Sequence, residues 1–297
     1  MNYLKNDLFA SENSPLFTAI PDKQILDKSL QISVPGQKFR DWSKQNHADS
    51  YVVMQRIAQA WKKSNITDQY LIYGKADSHS FHWDMIPYQK CHTSIGRIVQ
   101  QLQVLWRSTF GGIEVSENSL KNQLKEYQLL LSPSSEIIQS TENANKGNDS
   151  FCKDTTIERQ WVVMGKRVHV LFNYAPIGFG GERLHFLVVP KNHREAFTDV
   201  TKEEYCESLA ITSKIVDHFI KTRKNIKDVY FLNKTGVDAG QTVKHWHLHV
   251  IFSSNSAQNF WGRITFLKNI LLGSAPMKKD SLAKRVGELR KELATLK

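Results

Sequence analysis

The sequence predicts an α+β protein built from two similar repeats. Three observations carry that reading. A series of features occurs twice in the same order, strand-like and helix-like hydrophobic periods follow one another within each series, and a polar stretch separates the two.

The first series opens with LQISVPGQKFRDWSKQNHADSY (Leu30–Tyr51) and the second with LHFLVVPKNHREAFTDVTKEEY (Leu184–Tyr205). Each is an apolar strand ending in Val-Pro, then an aromatic residue, Trp42 or Phe197, then a helix. The helices read ADSYVVMQRIAQAWKKS and KEEYCESLAITSKIVDHFIKT, both apolar at helical spacing. A strand follows in each copy, DQYLIYGK or KDVYFLNK, and then a second, SFHWDMIPY or HWHLHVIF. IGRI (Ile95–Ile98) matches WGRI (Trp261–Ile264), and SLKNQLKEYQLLL (Ser119–Leu131) matches SLAKRVGELRKEL (Ser281–Leu293). The plainer alternative is two unrelated α+β halves that share generic patterning.

Ser132–Ser150 is polar and contains Pro, Gly, Asn and Ser, so it reads as a linker. This divides the chain into a first repeat (1–131), a linker (132–150) and a second repeat with a C-terminal helix (151–297). The second repeat opens with RQWVVMGK and RVHVLFNY, two strands joined by a hairpin turn; residues 1–29 show no clean equivalent. In the last helix Leu282, Val286, Leu289, Leu293 and Leu296 form a short heptad stripe. Ser119, Leu120 and Leu124 begin a comparable helix in the first copy. The two helices are expected to take equivalent positions on their own chain; alternatively, the stripe pairs with another molecule.

At 297 residues, 40% hydrophobic and 23% charged, the chain can bury a sizeable core. No apolar run approaches the roughly 20 residues that span a bilayer, so no membrane partner is expected. The N-terminus lacks a basic region followed by an apolar one, so no secretory signal is expected. Cys91, Cys152 and Cys206 form no CxxC pair, which suggests neither a disulfide framework nor a structural zinc site and points to a reducing, cytoplasmic location. The net charge of +11 favours an anionic partner, phosphates being the obvious class, or is simply a solvated basic surface.

The chemistry concentrates in AGQTVKHWHLHVIF (Ala239–Phe252). Read as a strand, it puts His245, His247 and His249 on one face and Trp246, Leu248 and Val250 on the other. Side chains two apart on a strand stand about 7 Å apart, a spacing that flanks one phosphate-sized group. Upstream, Gly236 and Gly240 permit a positive φ or close approach to a ligand, and Gln241 and Thr242 add polar groups. Two other readings compete. Alternate histidines on a strand can ligate zinc, although no well-spaced carboxylate or cysteine partner is evident, and three satisfied structural histidines would be an unusual core.

The segment resembles the histidine triad (HIT) superfamily, whose signature is His-φ-His-φ-His-φ-φ with φ apolar. His245, Trp246, His247, Leu248, His249, Val250 and Ile251 fit it. AGQTVKH is especially similar to the Fhit branch, the dinucleoside polyphosphate hydrolases. FCK (Phe151–Lys153), VLFNYAPIG and LHFLVVPKNHREAFTDVT also resemble that family; APIGFGGERLH is longer than its usual connection. The resemblance implies a mainly antiparallel sheet in each repeat and an intramolecular pseudo-dimer, similar to galactose-1-phosphate uridylyltransferase and the dinucleoside tetraphosphate phosphorylases. It implies His247 as a nucleophile that forms a nucleotidyl-histidine intermediate, with its tautomer held by a backbone carbonyl. His245 and His249 would flank the phosphate, Thr242 would sit near the leaving oxygen, and Gln241, beside Gly240, would orient a phosphate. Asn173 would hold the ribose, and His185 would stand behind the triad or be a plain buried strand residue. No metal or other cofactor is required by this chemistry.

Aligning the second strands puts Ser80, His82 and Asp84 at the three triad positions of the first copy. An aspartate there would repel a phosphate, so that copy reads as degenerate; His82 is a remnant or contributes to the other copy's site. The resembled transferases carry glutamine at the third triad position, whereas His249 is retained here. The expected function is a nucleotide hydrolase acting on dinucleoside polyphosphates or nucleoside phosphoramidates. The alternatives are a nucleotidyltransferase or phosphorylase, or a non-catalytic nucleotide-binding protein. The expected partner is a nucleotide rather than nucleic acid, and the assembly either a monomeric pseudo-dimer or a homodimer.

Overall fold

The computed structural model describes Leu8, residues 15–77, 80–131, 147–177, 183–254 and 273–296, and Gly262, Ile264, Thr265, Lys268 and Asn269. The first repeat contributes β1 (Phe17–Ala19), β2 (Lys23–Gln24), β3 (Leu30–Ser33), α1 (Lys44–Lys63), β4 (Tyr70–Ala76), β5 (His82–Pro87), α2 (Ser94–Phe110), β6 (Ile113–Glu114) and α3 (Glu117–Leu130). The second contributes α4 (Asp154–Gln160), β7 (Trp161–Met164), β8 (Val168–Phe172), β9 (His185–Pro190), α5 (Lys202–Thr222), β10 (Ile226–Thr235), β11 (Leu248–Ser254) and α6 (Lys279–Leu293).

Nine strands form one sheet in the order β1-β3-β5-β4-β10-β11-β9-β8-β7, every neighbouring pair antiparallel. Outward from its middle the order is β4, β5, β3, β1 on one side and β10, β11, β9, β8 on the other. The copies are thus mirrored in strand order, as an intramolecular pseudo-dimer requires. β4 and β10 pair from Val229↔Ala76 to Thr235↔Tyr70, so each covers an edge the other would expose. Leu232 stands opposite Tyr73 at the junction, His249 opposite Leu232, and Asp84 opposite Tyr73. Register therefore equates Asp84 with His249 and His82 with His247.

The two long helices cover one face of the sheet. Ser43 caps α1 by accepting from Asn46 N at 3.0 Å. Thr201 caps α5 in a box with Glu204, whose carboxylate accepts from Thr201 N at 2.9 Å and from Arg194 at 3.0 Å. The helices pack on each other: Tyr51 OH donates to Val200 O at 2.7 Å and Gln55 Nε2 to Phe197 O at 2.8 Å. Trp61, Trp83, Trp246, Phe186, Phe197 and Phe231 fill one cluster spanning both repeats.

Four sequence expectations need correction. The partner of Phe197 is Phe39, not Trp42: both phenylalanines are buried and begin a single 3₁₀ turn, Phe39–Asp41 and Phe197–Asp199. The first helix starts at Lys44, because Ser43 supplies the cap four residues ahead of the apolar run. The strand that carries the triad begins at Leu248, so only His249 lies inside it. In α3 the buried face is Gln123 and Tyr127, with Leu120 and Leu124 half-buried. β1 takes the place of β8 in the first copy, and among the described residues β7 has no counterpart there.

α3 and α6 each lie against the C-terminal half of their own repeat's long helix. Tyr127 OH accepts from Trp61 Nε1 at 2.9 Å, and Glu292 accepts from Arg223 at 2.8 Å and meets His218 at 3.1 Å. Leu282, Val286, Leu289 and Leu293 are buried in this chain's own core, each worth about 2 kcal/mol of apolar burial. That stripe is thus covered by its own chain rather than by another molecule. Of the linker, 132–146 lie outside the described residues, as do 178–182 of the long connection and positions 261 and 263 of WGRI. No helix among the described residues is long and apolar enough to cross a membrane.

Candidate functional site

A cavity of about 1130 Å³ opens on the face of the sheet away from α1 and α5. His185 and Leu187 from β9, His249 and Ile251 from β11, and Leu232 and Lys234 from β10 line it, with His247 just before β11. The walls include Asn173, Ile177, the stretch Gly240–Val243, and residues of α4 and α6. Met277 N donates to Tyr174 O at 2.8 Å, tying the approach to α6 to the loop after β8.

Trp246 anchors the triad. Its ring is buried in the core and its backbone N–H donates to Arg194 O, which turns the flanking histidines to the opposite side. His247 Nδ1 bonds His245 O at 2.7 Å. A carbonyl only accepts, so Nδ1 carries the proton and Nε2 presents its lone pair. Burial presses the His247 pKa down to about 4, so the ring is neutral near pH 7.

A second tautomer chain fixes His249. Ile177 N donates to His185 Nδ1 at 3.1 Å, so the proton of neutral His185 sits on Nε2. That N–H points at His249 Nδ1, 2.9 Å away, which leaves the His249 proton on Nε2 as a donor. Burial holds His185 at about pKa 3 and His249 well below the usual range, so both stay neutral. Asn173 braces the relay, its amide nitrogen 3.1 Å from His185 Nδ1 and its oxygen accepting from Ala175 N at 3.0 Å.

The approach loop is held from both repeats. Gly236 and Gly240 have φ of +87° and +84°, a region that glycine enters without a Cβ clash. Buried Asp238 accepts from Gln69 Nε2 at 2.8 Å, Cys91 N at 3.2 Å and Arg97 Nε at 2.9 Å, all from the first repeat. Gln101 of α2 lines the cavity and donates to Asp238 O at 2.9 Å. The first repeat thus reaches the site through α2, not through His82, which pairs with Asp84 at 3.4 Å in its own copy. Gln241 lies on the cavity wall, but its side chain is engaged in the loop, accepting from Gly236 N at 2.8 Å and donating to Glu195 O at 2.8 Å. Thr242 is exposed on the same wall.

His245 departs most from expectation. It is fully buried and does not line the cavity; Nε2 meets Pro190 O at 3.1 Å and Nδ1 faces Asp149 Oδ2 at 3.1 Å. Neither nitrogen is left for a phosphate. Around it gather Asp149, Cys152 and His193, none of which the sequence reading singled out. His193 Nδ1 lies 2.8 Å from Asp149 Oδ2, and Cys152 Sγ lies 3.1, 3.6 and 3.8 Å from Asp149, His245 and His193. Burial would raise the Asp149 carboxyl, but the Cys152 thiol, the His245 ring and the Phe151 amide hold it at about 2. Burial and the Asp149 carboxylate push the Cys152 thiol up to about 11.

With Nε2–H donating to Pro190 O, His245 Nδ1 and Asp149 Oδ2 point lone pairs at each other. Burial lowers the His245 pKa, which disfavours a bridging proton. A divalent cation resolves the conflict, and one carboxylate, one thiolate and two imidazoles suit zinc. The four ligand atoms lie within 4.8 Å of one another; the edges of such a tetrahedron are roughly 3.3–3.7 Å, so the set would have to adjust around a bound ion. The Pro190 carbonyl then acts as the outer partner that orients a ligating imidazole. The partners missing from the sequence reading are supplied by the linker's last residues, by FCK and by the turn after β9. Phe151 packs its ring 5.2 Å from His247 and closes the space between cluster and cavity.

Residues 157–255 match the HIT domain family. A HIT-like protein of Methanocaldococcus jannaschii is 34% identical over 103 residues, which are 34% of this chain and 75% of that protein. A bis(5'-adenosyl)-triphosphatase of Dictyostelium discoideum is 34% identical over 67 residues, 23% of this chain and 44% of the enzyme, so less than half of that relative is spanned. The crystal structure of an ADP-glucose phosphorylase from Arabidopsis thaliana with bound ADP-glucose superposes with a TM-score of 0.52 at 12% identity, covering 97% of this chain and 86% of that one, a likeness of fold. With the triad pattern in place and the family's sequence signal running from α4 through β11, the chain belongs to the HIT family.

Proposed function

We propose that the protein is a nucleotide hydrolase that cleaves at the α-phosphorus through a nucleotidyl-histidine intermediate, acting on dinucleoside polyphosphates or nucleoside phosphoramidates. The observation that carries this is the 2.7 Å bond from His247 Nδ1 to His245 O. It leaves Nε2 unprotonated at the cavity, so attack needs no prior proton loss. Nε2 forms a bond to phosphorus as the bond to the leaving group breaks; water then breaks the N–P bond and releases a nucleoside monophosphate. A phosphate leaving group departs as an anion near pH 7, so no general acid is demanded for anhydrides. His249 Nε2–H donates to a phosphate oxygen as charge gathers there. Thr242 stands at the leaving side, and the backbone of Gly240 and Gln241 lines the phosphate's approach. Asn173 serves the ribose, and His185 acts by positioning His249. No metal takes part in these steps; the Asp149, Cys152, His193 and His245 cluster would hold a structural ion that fixes the His245 carbonyl.

The test is incubation with diadenosine triphosphate, with and without inorganic phosphate or a sugar phosphate. AMP and ADP released in water alone are the expected products. Turnover that requires phosphate or a sugar phosphate would make the protein a phosphorylase or transferase, and binding without turnover would make it a sensor.

The first repeat should be silent in this assay. Asp84 accepts from Gln31 at 3.2 Å and pairs with His82, which puts a carboxylate where a phosphate would have to sit. His82→Ala should therefore keep kcat/KM within about twofold of wild type. A loss as deep as that of a triad histidine would show that the first copy works.

A further inference from the structure

Lys234 stands beside His247, and among the described residues its ammonium has no partner. Leu232 pairs with His249 across β10 and β11, so two residues on, Lys234 is the cross-strand neighbour of His247 on the cavity face. Its Nζ lies beneath Gly240, 3.4 Å from where a Cβ on that glycine would be, and the glycine leaves it room. It has no hydrogen bond or ion pair with any described residue. Burial presses its pKa down to about 8, and its charge adds to the burial that holds His247 and His249 neutral. An ammonium enclosed without a counter-charge is costly and calls for an anionic ligand.

Its position says which anion. Across the sheet the order is β9 with His185, β11 with His249 and with His247 just ahead of its first residue, then β10 with Lys234. Asn173, where the ribose is proposed to sit, follows β8 and is on the β8–β9 side. Lys234 is on the other side of the nucleophile, past the attacked phosphorus. We infer that Lys234 is a specificity-determining residue that binds the phosphate following the α-phosphate, committing the site to phosphoanhydrides over nucleoside phosphoramidates. This rests on the hydrolase reading above and narrows it. Charge, not hydrogen bonding alone, does the selecting, since the neighbouring imidazoles are neutral.

The test is equilibrium binding of ADP and AMP to the wild type, Lys234→Met and Lys234→Gln, with melting curves as a check on folding. The wild type should prefer ADP by about 10- to 100-fold, the range for a hydrogen bond to a charged group. In both variants the preference should shrink to near unity. The ligand-free Lys234→Met protein should melt at or above the wild-type temperature, because an unpaired enclosed charge is gone. A wild type without ADP preference, or variants that keep it, would overturn the assignment. If the preference depends on Lys234 but diadenosine triphosphate is not cleaved, the hydrolase reading falls and the phosphate site stands.

Discussion

His247→Ala should abolish turnover while leaving nucleotide binding nearly intact. The ring supplies the lone pair that makes the new bond to phosphorus, and no other cavity group is prepared for that step. His249 has its lone pair turned back toward His185 at 2.9 Å, and His245 is sealed away from the cavity. Losing a covalent route should cost about 4 kcal/mol of barrier or more, on the order of a thousandfold in rate. Removing the ring enlarges the cavity without disturbing Trp246, which anchors the segment from the other face. Affinity for AMP should thus stay within a few-fold of wild type. Quench-flow with diadenosine triphosphate and mass measurement of the enzyme check both parts: a nucleotidyl adduct on the wild type and none on the variant. Turnover within tenfold of wild type would remove His247 from the nucleophile's place.

Cys152→Ala and His193→Ala should each strip a bound metal ion and loosen the triad from behind. Isolated from zinc-containing medium, the wild type should carry close to one zinc per chain, and each variant well under half of that. With free zinc 100-fold above its Kd, binding contributes about 3 kcal/mol of stability, roughly 6–12 °C in Tm for a chain this large. Activity should fall about 10- to 100-fold, the range for partners one step removed from a reacting group. The link is short: His245 is both a cluster member and the carbonyl that sets the His247 tautomer. Metal content near zero in the wild type, with Tm unmoved by chelator and by both substitutions, would reduce the cluster to a hydrogen-bonded corner.

What the sequence disclosed and what it hid follow one physical division. The succession of strands and helices along the chain, the two long helices and the triad were legible because their signals are local: alternation over eight residues, apolar spacing over twenty, Val-Pro at a strand end. The intramolecular pseudo-dimer was legible only through the repeat and the family resemblance, and that β4 and β10 form its seam is shown by the structure alone. Asp149, Cys152 and His193 were not, because three separate segments bring them together. Asp149 lay in a stretch whose polar composition matched a linker, and its one signal was the Asp-x-x-Cys spacing just ahead of a HIT-like start. Lys234 was passed over because a lysine in a strand usually turns to solvent, and sequence does not show a cavity over that face. His245 was misplaced for a related reason. Alternation puts three histidines on one side, but the segment joins its sheet only at Leu248, so the first ring swings out of line with the others.

The antiparallel junction of β4 and β10 has a consequence for heredity. In a two-chain assembly of identical subunits, every substitution is copied to both sides of the axis. An acidic residue at a triad position would then enter both sites at once. Here the two halves are separate stretches of one polypeptide, and a change in one leaves the other untouched. Asp84 can occupy its position while His249 occupies the matching one. The half without an intact triad is still not dispensable, since its strand completes the sheet and its residues grip Asp238. Joined in one chain, the first repeat acts as a scaffold, and mutations at Gln69 or Arg97 become mutations of the loop beside the triad more than a hundred residues away in sequence.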